Sequence, residues 1–404
     1  MKQLAILSFL IIVLSIDAHV RYEDTTCNEF MLQWEKGYGK LWWWSARYEG
    51  AQPKGDADGD GKNELLIGGR DIFMRVVKYD ENKKTYKEID KLVDPVFGIG
   101  YGIWIRMLGT WLHFPQPFGS ATGFGIADID NDGKNEIGVA WGRHFSAFKW
   151  NGNRYSLMGR YIVAKAGWGT TLDCFIADYD NDGENEVIIT GYYEKEASLV
   201  AIKWNGNEFV KEAEWGKNAI YFPWVADVDD DGKNEIIVGY GKKLVVLKWN
   251  GKALSSYEIE EFPYQVFGCV AKDSDRDGKN EIHVTFNYPR LCVFKFNGNK
   301  YEKIFDIIWH REENTIEAID VGDCDNDGIA EICVGTNIIH ILQWNGDRYE
   351  EEYVINATYG LLAVTCVGDM DNDGLNEIHA SNVGVRDNEE YKAWIFKYNC
   401  MQHL

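Results

Sequence analysis

The sequence predicts an all-β chain folded as a seven-bladed β-propeller. Three observations carry that prediction: an acidic nine-residue motif recurs seven times, its copies are spaced like propeller blades, and short β-branched runs and Asn-Gly turns surround them. The motif, Asp-x-Asp-x-Asp-Gly-x-Asn-Glu, begins at Asp56, Asp128, Asp178, Asp227, Asp273, Asp323 and Asp369. The intervals are 72, 50, 49, 46, 50 and 46 residues, the length of four strands and longer than a helical-hairpin repeat of about 34.

Each unit reads as a meander. An apolar stretch such as Gly125-Ile126-Ala127 or Trp224-Val225-Ala226 precedes the acidic loop, and a β-branched run such as Val187-Ile188-Ile189 or Ile236-Ile237-Val238 follows it, so the loop joins a first strand to a second. A third run ends in Trp150-Asn151-Gly152, Trp204-Asn205-Gly206, Trp249-Asn250-Gly251, Phe296-Asn297-Gly298 or Trp344-Asn345-Gly346. Asn-Gly between apolar runs predicts a type I′ hairpin with positive φ at both central residues. A fourth strand opens on Tyr155, Phe209, Tyr301 or Tyr349. The last third strand closes with Lys397-Tyr398-Asn399-Cys400, while Cys27-Asn28-Glu29-Phe30 matches the start of a fourth strand, Gly206-Asn207-Glu208-Phe209. One propeller over 27–400 is therefore expected, its N-terminal strand completing the last blade and a Cys27–Cys400 disulfide locking the closure. The other six cysteines read as small buried apolar residues.

The loops carry metal-ligand chemistry. Carboxylates alternating on a tight turn supply the hard oxygens that calcium takes, and with no histidine or cysteine at the ligand positions zinc and copper fit poorly. The expected side-chain ligands are Asp56, Asp58, Asp60 and Glu64; Asp128, Asp130, Asp132 and Glu136; Asp178, Asp180, Asp182 and Glu186; Asp227, Asp229, Asp231 and Glu235; Asp273, Asp275, Asp277 and Glu281; Asp323, Asp325, Asp327 and Glu331; and Asp369, Asp371, Asp373 and Glu377. The seventh position would add a backbone carbonyl, from Lys62, Lys134, Glu184, Lys233, Lys279, Ile329 and Leu375. About seven Ca²⁺ are expected. An EF-hand is excluded, because its twelfth position needs a ligand and here Ile67, Val139, Ile189, Val238, Val284, Val334 and Ala380 stand there. Ala330, in place of the usual Asn, and Arg276, inside the fifth loop, predict weaker binding at two sites.

The net charge of −22 argues against nucleic acid and anionic membranes, although 28 of the 64 acidic residues stand at the ligand positions of the loops, leaving 36 other acidic residues against 42 basic ones. Residues 1–18, with Lys2 before the apolar run Leu4 to Leu14 and a small Ala18, read as a signal peptide, which predicts a secreted or extracellular-surface chain without a transmembrane segment. The first interval is long because of an aromatic insertion over 91–122, expected to be either a plug over the channel or a partner-binding loop.

On these loops the chain resembles the FG-GAP or VCBS repeat family, the calcium-loop propellers that include integrin alpha-subunit heads, some fungal lectins and some secreted polysaccharide lyases. The resemblance covers 27–400 and implies metal loops on the lower face and partner binding on the opposite rim. Rim residues expected to bind are Trp141, Arg143, Tyr192, Tyr288 and Arg290, joined by the aromatics Tyr240, Trp168, Tyr221, Tyr264, Trp309 and Tyr359; these residue types dominate binding hot spots. No nucleophile elbow or zinc-protease helix is present, so no catalytic residue is assigned. A carboxylate pair drawn from Asp173, Glu194 and Asp320 is left open, as is a calcium-dependent polysaccharide lyase or a sugar-binding lectin. The rim loops do not repeat from blade to blade, which favours one asymmetric site. A binding or adhesion module whose partner is an extracellular protein or glycan is the first expectation.

Overall fold

The computed structural model describes residues 29–38, 52–68, 72–98, 103–107, 110–114, 118–119, 121–309, 316–382 and 390–399. All regular structure within them is β. Seven four-stranded antiparallel sheets follow one another, which is the predicted seven-bladed propeller. Blade 1 opens with Lys54–Gly55 and ends with Thr85–Leu92; blade 2 runs from Ala121–Ala127 to Tyr155–Ile162, blade 3 from Gly169–Ala177 to Phe209–Trp215, and blade 4 from Pro223–Ala226 to Leu254–Glu261. Blade 5 spans Val266–Lys272 to Tyr301–Ile308 and blade 6 Ala318–Gly322 to Tyr349–Ile355. Blade 7 combines Leu362–Gly368, Glu377–Asn382 and Lys392–Tyr398 with the N-terminal strand Phe30–Gly37, which pairs with Lys392–Tyr398 in the register Phe30 to Tyr398 and Gly37 to Lys392.

Burial explains the composition of the strands. The second strand of every blade lies between neighbours and is buried almost throughout, as in Glu235–Tyr240, where Ile236, Ile237 and Val238 are fully buried. Fourth strands form the outer edge and are mostly exposed or half-buried; in Tyr349–Ile355 the ends are buried and the middle carries Glu350, Glu351 and Glu352. Each third-to-fourth pairing contains one register shift, at Ala147/Phe148 in blade 2 and Ala201/Ile202 in blade 3, for example. Bulges of this kind increase local twist and bend the outer edge of a blade.

The hairpin turns differ from the expected type I′. Trp150 pairs with Tyr155, so four residues make the turn, and of Asn151 and Gly152 only the glycine has positive φ, at 89°. The Asn151 carboxamide oxygen accepts the N–H groups of Asn153 and Arg154, both at 3.1 Å, and so takes over the role of a second left-handed residue. The same arrangement recurs at Asn205, Asn250, Asn297 and Asn345.

The insertion over 91–122 contains a two-stranded hairpin, Ile103–Met107 with Thr110–Phe114. Its base is tied to blade 2: the buried Asp94 carboxylate accepts from Arg160 Nε at 2.6 Å and from Ser146, with His144 at 3.3 Å. Burial alone would raise the Asp94 pKa, but His144, Arg160 and Ser146 outweigh it and hold this carboxyl well below the usual range.

Candidate functional site

The seven acidic loops share one backbone. In each, the fourth position is left-handed: Gly59 (74°), Asn131 (59°), Asn181 (64°), Asp230 (61°), Arg276 (70°), Asn326 (65°) and Asn372 (63°). Asn, Asp and Gly tolerate that conformation, so six loops carry a suitable residue and Arg276 is the exception. The glycine two positions on is also left-handed, for example Gly133 at 88°. These two reversals wrap the chain around the first aspartate, whose Oδ2 accepts the glycine N–H at 2.8 Å in the Asp128 loop and 2.9 Å in the Asp178 loop. The seventh-position residues Lys62, Lys134, Glu184, Lys233, Lys279, Ile329 and Leu375 donate their N–H to the third aspartate at 2.7 to 3.1 Å.

Asp273, Asp275, Asp277 and Glu281 bring one oxygen each within 4.8 Å of one another, as do Asp56, Asp58 and Asp60, Asp128, Asp130 and Asp132, Asp178, Asp180 and Glu186, and Asp227, Asp229 and Glu235. Buried oxygens without a hydrogen-bond partner point to an uncompensated need: Asp130 Oδ1, Asp227 Oδ1, Asp229 Oδ1 and Asp323 Oδ1. Hard carboxylate oxygens with no nitrogen or sulfur among them are a donor set that fits calcium.

The glutamate at the ninth position does more than close the loop. One oxygen accepts the N–H of the second residue, from Ala57, Ile129, Val228, Ser274, Cys324 and Met370, at 2.7 to 3.1 Å. The other oxygen faces the third strand. There the sheet register sets Lys78 opposite Glu64 and Lys397 opposite Glu377. A lysine occupies this place in six blades and its ammonium lies among the carboxylates. Lys149 Nζ is 2.6 Å from Asp130, 2.8 Å from Asp132 and 2.9 Å from Glu136; Lys397 Nζ is 2.7, 2.6 and 2.8 Å from Asp371, Asp373 and Glu377. Lys78, Lys248 and Lys295 make the same three contacts, and Lys203 reaches Asp182, Glu184 and, at 3.5 Å, Glu186. Burial works against these amines, yet their hydrogen bonds to the carboxylates hold all six above the ordinary lysine range. In blade 6 the residue is Gln343, whose amide donates to Glu331 at 3.3 Å.

Lys149, Lys203 and Lys248 stand directly before a Trp-Asn-Gly, and Lys78, Lys295 and Lys397 before an aromatic residue, but only the strand register shows that they meet the loops. Burial raises the glutamates, to about 7 for Glu235 and Glu377 and about 8 for Glu186 and Glu331. The two highest belong to the loop whose lysine stands farther off and to the loop with none.

The eighth-position asparagine is a latch between blades. Its amide donates to the carbonyl of the first aspartate of the preceding loop: Asn135 to Asp56 at 2.9 Å, Asn185 to Asp128 at 2.9 Å, Asn234 to Asp178 at 2.8 Å, Asn280 to Asp227 at 2.8 Å and Asn376 to Asp323 at 2.8 Å. Asn63 reaches Asp369 at 2.7 Å and so joins blade 1 to blade 7. Ala330 has no amide to give, so its effect falls on the blade 5 to blade 6 contact instead of on a ligand.

The opposite rim corrects two expectations. Trp141 is fully buried, stacked on His144 and packed with Phe124 and Ile137. Arg143 is 8 % exposed, and its guanidinium donates to the carbonyls of Gly98, at 2.6 Å, and Gly167. Arg143 ties the base of the insertion to blade 2 and Trp141 fills the core beneath it, which the one-dimensional pattern does not reveal. Arg290 forms a two-point ion pair with Asp306 at 2.8 and 2.6 Å. Tyr192 and Tyr288 are half-buried, and the Tyr288 ring lies flat on Tyr264, 4.0 Å between centroids. Trp215, Asn218, Tyr240, Lys243, Glu258 and Glu261 line a groove of about 580 Å³ between blades 3 and 4. The candidate carboxylate pair does not assemble as an exposed site: Asp173 is fully buried and burial raises its pKa, while Asp320 is bound by Lys272 at 2.6 Å. Cys27 and Cys400 lie outside the described residues; the six described cysteines are buried free thiols.

No protein-family model and no curated protein matches the sequence. Among solved structures the chain is similar to BBS1N in complex with ARL6DN, in a mercury-soaked crystal (TM-score 0.60, 11 % identity, 92 % of this chain and 97 % of the other covered) and a lead-soaked one (TM-score 0.59, with the same identity and coverage). At that identity the likeness concerns the fold alone. The secreted or extracellular location expected from residues 1–18 is corrected here, because the matching solved structures are of an intracellular protein. Residues 1–18 themselves lie outside the described residues, and no described helix is long and apolar enough to cross a membrane. The chain is a seven-bladed β-propeller.

Proposed function

We propose that this chain is a calcium-stabilised propeller of the FG-GAP or VCBS kind that holds a rigid, asymmetric rim for a protein partner. The observation that carries the calcium reading is the buried, unpartnered Oδ1 of Asp130, Asp227, Asp229 and Asp323, each at the centre of a loop of four carboxylates. Asp oxygens at the first, third and fifth positions would hold the ion, with the ninth-position glutamate behind them. The ion supplies two positive charges where one lysine faces four carboxylates, and so binds the folded loop far better than the unfolded chain. The role is structural, since each loop joins two strands of one blade and the ion would hold that connection closed.

Partner binding is assigned to the rim away from the loops. There Tyr288 on Tyr264 and the groove of Trp215 and Tyr240 combine aromatic surface with the charges of Lys243, Glu258 and Glu261, the composition of an interaction patch. The protein complex named for BBS1N supports a protein over a glycan as partner. Thermal melting in calcium and in excess EGTA tests the metal reading. A ligand at about one hundred times its Kd adds about 2.7 kcal/mol per site, so EGTA should lower the melting temperature by several degrees; superimposable curves would refute it.

A further inference from the structure

Six loops carry an ammonium group that a metal-ligand reading does not require. In four of them it bridges the Oδ2 atoms of the third- and fifth-position aspartates and the glutamate oxygen, as Lys149 does at 2.6, 2.8 and 2.9 Å, while Asp130 Oδ1 is left on the other side of the carboxylate; Lys78 meets Asp60 through Oδ1, and Lys203 meets Asp182, Glu184 and Glu186. Amine and ion therefore have different oxygens to occupy. Four carboxylates on nine residues repel one another, and a cation fixed by the sheet register relieves that repulsion without any bound ion. In blade 6 Gln343 offers a neutral amide at 3.3 Å, and among the described residues no lysine ammonium pairs with Asp323, Asp325, Asp327 or Glu331. The same loop also lacks the latch, because Ala330 stands where the other loops have asparagine.

We propose that Lys78, Lys149, Lys203, Lys248, Lys295 and Lys397 are resident counter-cations that keep their loops closed in the absence of a divalent ion, and that the loop Asp323 to Glu331 is the one left open for want of such an amine. The six amines make the propeller tolerant of low calcium, and the sixth loop becomes its calcium-responsive element. Only this last step rests on the calcium reading above.

Hydrogen exchange in EGTA, read loop by loop on the intact chain, tests it. Charge-assisted hydrogen bonds are worth enough to change local opening by about tenfold or more. The amides of 323–331 should exchange about tenfold faster than those of 128–136, Gln343→Lys should slow them to match, and Lys149→Gln should speed 128–136 by a similar factor. Equal exchange in all seven wild-type loops would overturn the proposal, as would a Gln343→Lys chain whose sixth loop is unchanged while Ala330→Asn alone slows it. Because Gln343→Lys adds contacts, it does not depend on a destabilised variant folding. Adding calcium chloride then examines the metal separately. Slowing confined to 323–331 supports the calcium-responsive role, equal slowing in every loop contradicts it, and no slowing anywhere with the lysine pattern intact removes the calcium reading and with it that role.

Discussion

The sixth and seventh acidic loops are neighbours built on the same backbone, yet they are held in different ways. In the seventh, Lys397 binds Asp371, Asp373 and Glu377 at 2.6 to 2.8 Å, and Asn376 reaches across to the Asp323 carbonyl. In the sixth, Gln343 replaces the lysine and Ala330 the asparagine, so neither the charge nor the latch is present. The pair separates two duties hidden in one motif. The aspartates and glycine shape the loop, whereas the lysine from another strand and the asparagine toward another blade decide how firmly it is held.

Acid should have the largest effect on this comparison, because it acts on the strands that flank the weak loop. Two residues beyond the loop glutamate, blades 5 and 7 bury His283 and His379, while blades 1 to 4 have Leu66, Gly138, Ile188 and Ile237. Burial depresses both imidazoles to about 4, despite the Val270 and Trp394 carbonyls that favour the charged form. The unfolded chain takes up these protons near pH 6.5 and the folded chain only near 4, so the stability these two histidines contribute is complete above 6.5 and is lost as the pH drops through that window, by up to about 3 kcal/mol for each histidine at 1.36 kcal/mol per unit. Urea titrations at pH 7 and pH 5 measure it. Replacing His379→Leu should flatten part of the slope; an unchanged slope would mean that this imidazole is not the source.

Removing the amine comes next. Lys149→Met leaves the buried Glu136 and Asp130 without their cation and should cost about 2 kcal/mol in EGTA, less than a fully buried pair because the lysine side chain is 30 % exposed. The matching change Gln343→Met should cost under about 1 kcal/mol. Denaturant midpoints that shift equally would erase the distinction between the loops. Smaller still is the latch. Asn234→Ala deletes the 2.8 Å bond to the Asp178 carbonyl and should cost about 1 kcal/mol, while Ala330→Asn should return a few tenths to the blade 5 to blade 6 contact, both read from the same midpoints.

Much of the architecture was legible because the acidic motif marks every blade, and its spacing can be counted without knowing how blades pack. The glycine at the sixth position answers to left-handed backbone in the same way, whereas the left-handed fourth position, an asparagine in four of the loops, shows only in the structure. What the sequence hid were contacts between strands far apart in the chain. Lys149 meets Glu136 only through the register of two strands, and Asn63 meets Asp369 only once the ring closes. The rim was misread at Trp141 and Arg143 because an aromatic or an arginine at a strand end has the same letters whether solvent or an insertion covers it. Here the insertion does, through Gly98.

Calcium content tests the account most directly. Protein equilibrated in calcium, washed free of excess ion and examined by elemental analysis should hold about seven Ca²⁺ per chain, one for each loop of four carboxylates. Fewer than about four, with the chain still folded, would contradict it and leave the lysines as the cations on which most of the loops depend.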